Sequence, residues 1–164
     1  MYTSIKNTSI QIEDGDRGKN YPSSNEFLNI GYCIFLNNKN IINNKLDLNY
    51  AQYISEEKHN CLGKGSIDLN DLVLTTRGTL GNTLLFDKKE FLPARINSGM
   101  VIIKPNKDYI PKFLYFYFQS VFFQNQIKKM SSGSAQPQLP IKDLNNMLVP
   151  KINIISQQHI VNIQ

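Results

Sequence analysis

The sequence predicts an α+β domain, with a twisted, mostly antiparallel sheet built from its earlier part and a helical C-terminal part. Three observations carry that expectation. Short apolar runs bounded by turn formers recur up to residue 103. A long amphipathic stretch then begins at Pro111, a residue suited to the first position of a helix. The 164 residues, 41% hydrophobic and 19% charged, make one ordinary domain with a real core rather than a disordered chain.

Each element follows from local chemistry. Residues 14–25 are dense in Asp, Gly, Asn, Pro and Ser and must be loop. Tyr32-Cys33-Ile34-Phe35-Leu36 follows Gly31 and reads as a buried strand, and the Asn-rich residues 37–49 connect it onward. Residues 55–62 fit a short helix, with Ser55 as N-cap, Glu56 and Glu57 in the first turn and Gly63 as the stop. Residues 71–86 form a hairpin by composition: a strand over 71–76, a Gly-containing turn over 77–82 and a returning strand over 83–86. Met100-Val101-Ile102-Ile103 is a further strand, ended by Pro105. Beyond Pro111, the residues Phe113, Leu114, Phe116, Tyr117, Phe122, Phe123 and Ile127 recur at helical spacing, a stripe that belongs in a core rather than on a base-stacking platform. Residues 131–140 are loop, 141–147 a short helix and 148–151 extended, and Ser156 is placed to cap a last helix.

Charge narrows the function only partly. Lys plus Arg total 18 against 13 Asp plus Glu, a formal +5, with a pI near 9.1. That balance suits a polyanion, and it suits a surface that is basic by drift equally well. Cys33 sits in an apolar run and reads as a small buried hydrophobe. Cys61 lies near His59, but no second ligand pair accompanies it, so no zinc site is expected. The polar opening up to Glu13 is no signal peptide, and the apolar run over 113–123 is too short to span a bilayer, so a soluble cytoplasmic protein is expected.

Catalytic motifs fail one after another. Asp14-Gly15-Asp16 starts like a calcium loop, but Lys19 stands where glycine is needed and Asn25 where glutamate is needed. Gly63-Lys64-Gly65-Ser66 lacks the upstream glycine of a phosphate loop, and Arg77-Gly78-Thr79-Leu80-Gly81 lacks the third glycine of a dinucleotide fingerprint. Neither a hydrolase triad nor a glycine-rich methyl-donor segment is visible, and no cofactor or metal is expected. One enzymatic alternative stays open: Glu56-Glu57-Lys58 has the Glu-x-Lys spacing of a small metal-dependent nuclease, which also needs a strand and an upstream acid.

Three polar loops carry groups suited to nucleic acid: Asp16-Arg17-Gly18-Lys19-Asn20-Tyr21, Thr75-Thr76-Arg77-Gly78-Thr79 and Arg95-Ile96-Asn97-Ser98-Gly99. Arg pairs two-pronged with guanine, Asn and Gln with adenine, and Lys, Ser and Thr suit phosphate. Solvated turns that use Asn, Gly and Ser for geometry alone explain the same residues equally well, and Asp14 and Asp16 fit as braces for Arg17.

At the same residues the chain resembles a known family. The strings are Asp14-Gly15-Asp16-Arg17-Gly18-Lys19-Asn20-Tyr21-Pro22, Leu74-Thr75-Thr76-Arg77-Gly78-Thr79-Leu80-Gly81-Asn82, Ala94-Arg95-Ile96-Asn97-Ser98-Gly99-Met100 and Ser132-Gly133-Ser134-Ala135-Gln136-Pro137-Gln138-Leu139-Pro140. In order and spacing they resemble one target-recognition domain of a type I restriction–modification specificity subunit, from about Ile10 onward. The resemblance implies a non-catalytic part that reads one half of a split site in double-stranded DNA. It places Arg17, Lys19, Asn20, Tyr21, Thr76, Arg77, Thr79, Arg95 and Asn97 in segments near DNA, and Ser132, Gly133, Ser134, Gln136 and Gln138 in the loop before the conserved helix, where DNA contact, with Ser134 and Gln136 as its candidates, and helix placement both fit. It also implies a methyltransferase subunit and a motor–nuclease restriction subunit as partners. In such subunits two recognition domains are joined by long spacer helices. Here Ser156-Gln157-Gln158-His159 resembles a spacer start with no heptads after it, which gives a recognition domain over 1–150 and a truncated spacer over 151–164. An expressed fragment, a truncated gene product and a silent recombination cassette all fit that pattern, as does a homodimer that imitates the two-domain subunit.

Overall fold

The structure, a computed structural model, describes residues 1–131, 133 and 135–164. Along the chain come β1 (Tyr2–Ser4), β2 (Gln11–Asp14), β3 (Cys33–Leu36), β4 (Ile41–Ile42), β5 (Lys45–Leu46), β6 (Gln52–Ile54), α1 (Glu56–Cys61), β7 (Leu72–Thr75), β8 (Thr83–Leu85), β9 (Ala94–Ile96) and β10 (Met100–Lys104). Then follow α2 (Pro111–Gln119), α3 (Val121–Ser131), α4 (Ile141–Asn146), β11 (Leu148–Pro150) and α5 (Ile154–Ile163).

Alternation of side chains along the strands builds the layers. The central sheet runs β2-β10-β7-β8, and all its pairs are antiparallel. On one face Leu72, Leu74, Val101 and Ile103 pack against Phe113, Leu114, Phe118 and Phe123 of α2 and α3. On the other, Val73, Met100 and Ile102 meet Ile34, Leu36, Ala94 and Ile96 of a second sheet, β6-β3-β9. Dry on both faces, β7 and β10 therefore appear in the sequence as unbroken apolar runs. The second sheet turns Cys33 and Phe35 the opposite way, under Leu62, Tyr21 and Phe27. Burial pushes the Cys33 thiol up to about 12, so it behaves as the expected small hydrophobe. Each large aliphatic or aromatic side chain in these layers contributes about 1.5–3 kcal/mol.

The α+β class and the mostly antiparallel pairing are as expected, but the strands divide between sheets, and β3 pairs with β9 in parallel. The hairpin over 71–86 is present, registered Leu72↔Leu85, Val73↔Leu84 and Leu74↔Thr83. Ser55 caps α1, its hydroxyl accepting from the Lys58 amide at 3.1 Å. The helical region breaks at Ser120, which is extended and accepts from the Phe123 amide at 3.3 Å. Phe122 leaves the core stripe and stacks on Tyr2, ring centroids 4.8 Å apart, at the surface.

At the last helix the cap is Asn153, not Ser156. Asn153 Oδ1 accepts from the Ser156 amide at 2.8 Å, so Ser156 is the residue being capped. The helix is seated by Gln157, fully buried, whose Nε2 donates to Asp108 O at 2.8 Å and whose Oε1 accepts from the Ile110 amide at 2.8 Å. Among the described residues no helix is long and apolar enough to cross a membrane.

Candidate nucleic-acid interface

Strand direction brings the polar loops to one end of the molecule. There β2 and β7 finish and β10 begins, as the register Val101↔Asp14 and Met100↔Thr75 requires. β3 and β9 finish side by side in the second sheet, Leu36 opposite Ile96. Residues 15–22, 76–82 and 97–99 therefore emerge as neighbours. The loop before α4 joins them through an antiparallel bridge between Arg77 and Gln138.

Main-chain hydrogen bonds lace this end together. The Thr76 amide donates to Gly99 O at 2.9 Å, the Leu139 amide to Thr76 O at 2.9 Å and the Asn97 amide to Leu36 O at 3.0 Å. Gly15 allows the first and third loops to touch, because a Cβ there would lie 2.6 Å from Asn97 O. The hairpin turn over 77–82 needs its glycines, with φ +72 at Gly78 and +84 at Gly81.

On this frame the candidates take distinct places. Arg17 is exposed and donates from Nη2 to Asp14 Oδ1 at 3.1 Å and to Ser98 O at 3.2 Å, so Asp14 does brace it. An ion pair this open to solvent is weak, which leaves the guanidinium available to a stronger anion. The Tyr21 hydroxyl accepts from the Ser98 amide at 3.4 Å, tying the first loop to the third. Asp16 does not brace Arg17 but ties the first loop to the turn after α1: its carboxyl accepts from the amides of Gly18 and Gly63, which hold it below the usual range. Lys19 is exposed, whereas Asn20 leans on α1, donating to Cys61 O at 3.2 Å. Arg77 and Thr79 stand exposed at the hairpin tip. Asn97 uses its Oδ1 to accept the Gly99 amide at 2.9 Å, and Gln136 is exposed. Ser134 lies outside the described residues.

Two sequence candidates are buried rather than exposed. Arg95 sits within β9, 6% exposed. Its guanidinium donates to His59 Nδ1 at 2.9 Å, His59 O at 2.9 Å, Lys64 O at 2.7 Å and Leu62 O at 3.2 Å. With its donors turned inward, it holds α1 and the following turn against the second sheet and cannot reach an outside ligand. Thr76 is 4% exposed; its backbone is the hub between Gly99 and Leu139, and it lines the cleft between Arg17 and Arg77.

Sequence reasoning missed Asn38. From the loop after β3, its Nδ2 donates to Arg77 O at 2.6 Å and fixes the hairpin tip from the second sheet. Nothing in the Asn-rich composition of residues 37–49 marks that position. Between Arg17 and Arg77 lies a cleft of about 340 Å³, with Val101 at its floor and Gln138 at its rim.

The nuclease alternative finds no support in this geometry. Glu56 and Lys58 sit on a helix, not a strand, and Lys58 pairs with Glu26 at 2.8 Å. Among the described residues no three His, Cys, Asp or Glu side chains gather so as to hold a metal.

Comparison with known proteins supplies the deciding observation: the family model described as the type I restriction modification DNA specificity domain matches residues 10–164. The chain belongs to that family. This specificity domain is 29% identical over 118 residues to the type I restriction enzyme EcoBI specificity subunit of Escherichia coli, covering 71% of this chain and 24% of that protein. Its fold matches the solved HsdS subunit from Thermoanaerobacter tengcongensis with a TM-score of 0.69 at 16% identity, over 99% of this chain and 35% of that one. The solved type I restriction–modification S subunit from M. genitalium gives 0.67 at 14%, over 99% and 37%. At such identities the likeness establishes the fold, mixed helices with antiparallel sheets. The chain spans well under two thirds of the length of these relatives.

Proposed function

We propose that this specificity domain is a DNA reader, the non-catalytic target-recognition part of a type I restriction–modification system, and that it engages one half of a split site in double-stranded DNA. The observation that carries this is the convergence of Arg17, Lys19, Arg77, Thr79, Asn97 and Gln136 on one laced end of two rigid sheets. Exposed basic groups there anchor phosphates, and the loop tips reach base edges. The formal charge of +5 favours approach to a polyanion. Cytoplasmic location, a methyltransferase subunit, a restriction subunit and self-association as a homodimer all go with this role. Residues 151–164, seated by Gln157, are the opening of the segment that would lead to such partners.

The test is selection of bound sequences from a random duplex pool at near-physiological salt. A short asymmetric motif is the expected outcome. A well-folded sample that enriches nothing would sink the proposal and favour a folded remnant.

A further inference from the structure

We propose that the cleft between Arg17 and Arg77 reads an adenine·thymine pair, with Gln138 as the residue that recognises the adenine. This rests on the proposed DNA-reading function. It gives Gln138, which the sequence leaves between DNA contact and helix placement, a reading role, and it commits to the base that residue takes.

Gln138 and Arg77 are directly opposed in an antiparallel bridge. Residues so opposed hold their Cβ atoms roughly 4.5–5.5 Å apart and share one face, so the two side chains project together. Two contacts fix that pairing from opposite sides. The Leu139 amide donates to Thr76 O at 2.9 Å, and Asn38 Nδ2 donates to Arg77 O at 2.6 Å. Both side chains are exposed. Among the described residues neither the Arg77 guanidinium nor the Gln138 amide has a hydrogen-bond partner. The pair therefore presents directional hydrogen-bonding groups from a fixed backbone.

Their chemistry differs in a way that selects bases. A glutamine amide sets one donor beside one acceptor, the complement of the adenine N6 and N7 edge, whereas arginine offers only donors and suits guanine O6 and N7. Below Gln138 the cleft, about 340 Å³, turns apolar at Pro140 and Ile141. Thymine carries the one methyl group displayed in the major groove, so the thymine paired with that adenine meets this apolar side. Arg17 on the opposite lip is placed to hold the neighbouring phosphate.

The experiment repeats the pool selection with wild type, Arg77→Ala, Gln138→Ala and Gln138→Glu. The wild-type motif is expected to contain an adenine beside the position that Arg77→Ala relaxes. Gln138→Ala should lose preference at that adenine alone, by roughly 5- to 150-fold, the range for one two-pronged base contact. Gln138→Glu keeps the shape but removes the donor, and should move the preference toward cytosine, whose N4 donates. A merely structural glutamine would not produce that switch. Deoxyuridine in place of the paired thymine should weaken wild-type binding, and unchanged affinity overturns the methyl contact. A wild-type motif left intact by both Gln138 variants, or weakened evenly at every position, overturns the assignment while DNA reading stands. A wild type that enriches nothing overturns the proposed function and this inference with it.

Discussion

Arg95 donates from Nε to His59 Nδ1 at 2.9 Å, a bond that only a neutral imidazole can accept. The same guanidinium binds the carbonyls of His59, Leu62 and Lys64, so one buried cation organises the end of α1 and the turn behind the first recognition loop.

Removing that cation should damage stability before recognition. Arg95→Leu leaves several buried acceptors without donors, and hydrogen bonds to a charged group contribute about 1.5–3 kcal/mol each. We expect a loss on the order of 3 kcal/mol in urea unfolding. A variant as stable as wild type that nonetheless fails to bind DNA would return Arg95 to the list of readers.

The pair also makes stability depend on pH. Burial, and then the nearby Arg95, hold the His59 pKa below its ordinary 6.5, while Glu56 pulls weakly the other way. Below pH 6.5 the unfolded chain takes up a proton that the folded chain resists, so this contribution is present above 6.5 and is lost as pH falls through the lowered folded value. His59→Asn keeps an acceptor near Nδ1 without titrating and should flatten the acid side of the stability curve. Identical curves for the two proteins would exclude His59 as the cause.

Two kinds of DNA contact should separate in titrations. Arg17→Ala and Lys19→Ala should weaken all duplexes similarly and lower the salt slope by about 1 each, the mark of a lost phosphate contact. Arg77→Ala should instead cost about 1–3 kcal/mol on the preferred site and relax one position of the motif. Equal losses on preferred and random DNA would make Arg77 a phosphate anchor.

Gly15→Ala tests the seam between loops. Its Cβ would fall 2.6 Å from Asn97 O, a backbone atom with little room to move. Overpacking of this kind costs about 1–3 kcal/mol, and the displaced loops should also lose affinity. Calorimetry alongside binding would show both changes; wild-type values in each would mean the seam opens freely.

How legible this was in the sequence depended on how local its causes are. β3, β7 and β10 were visible because burial on both faces leaves unbroken apolar runs, and Ser55 announced α1 through its own cap. β1, β2 and β6 are short and partly exposed, so no period shows. β9 reads as a recognition loop because Arg95 argues for solvent, whereas its partners come from residues 59–64, far off in sequence. The Asn153 cap does not stand out in the sequence, because Ser156 offers an equally good capping side chain. Arg17, Arg77 and Gln136 could be picked out by residue type, but their neighbours could not, since the register between β2, β7 and β10 and the Arg77–Gln138 bridge bring their loops together.

Three of the bonds that lace the recognition end, Thr76 to Gly99, Leu139 to Thr76 and Asn97 to Leu36, run between peptide groups. They place no demand on which side chain stands at positions 77, 98 or 138. A lineage pressed to change its DNA address could exchange outward-facing atoms one codon at a time, while the inherited scaffold keeps its shape and remains foldable at every intermediate.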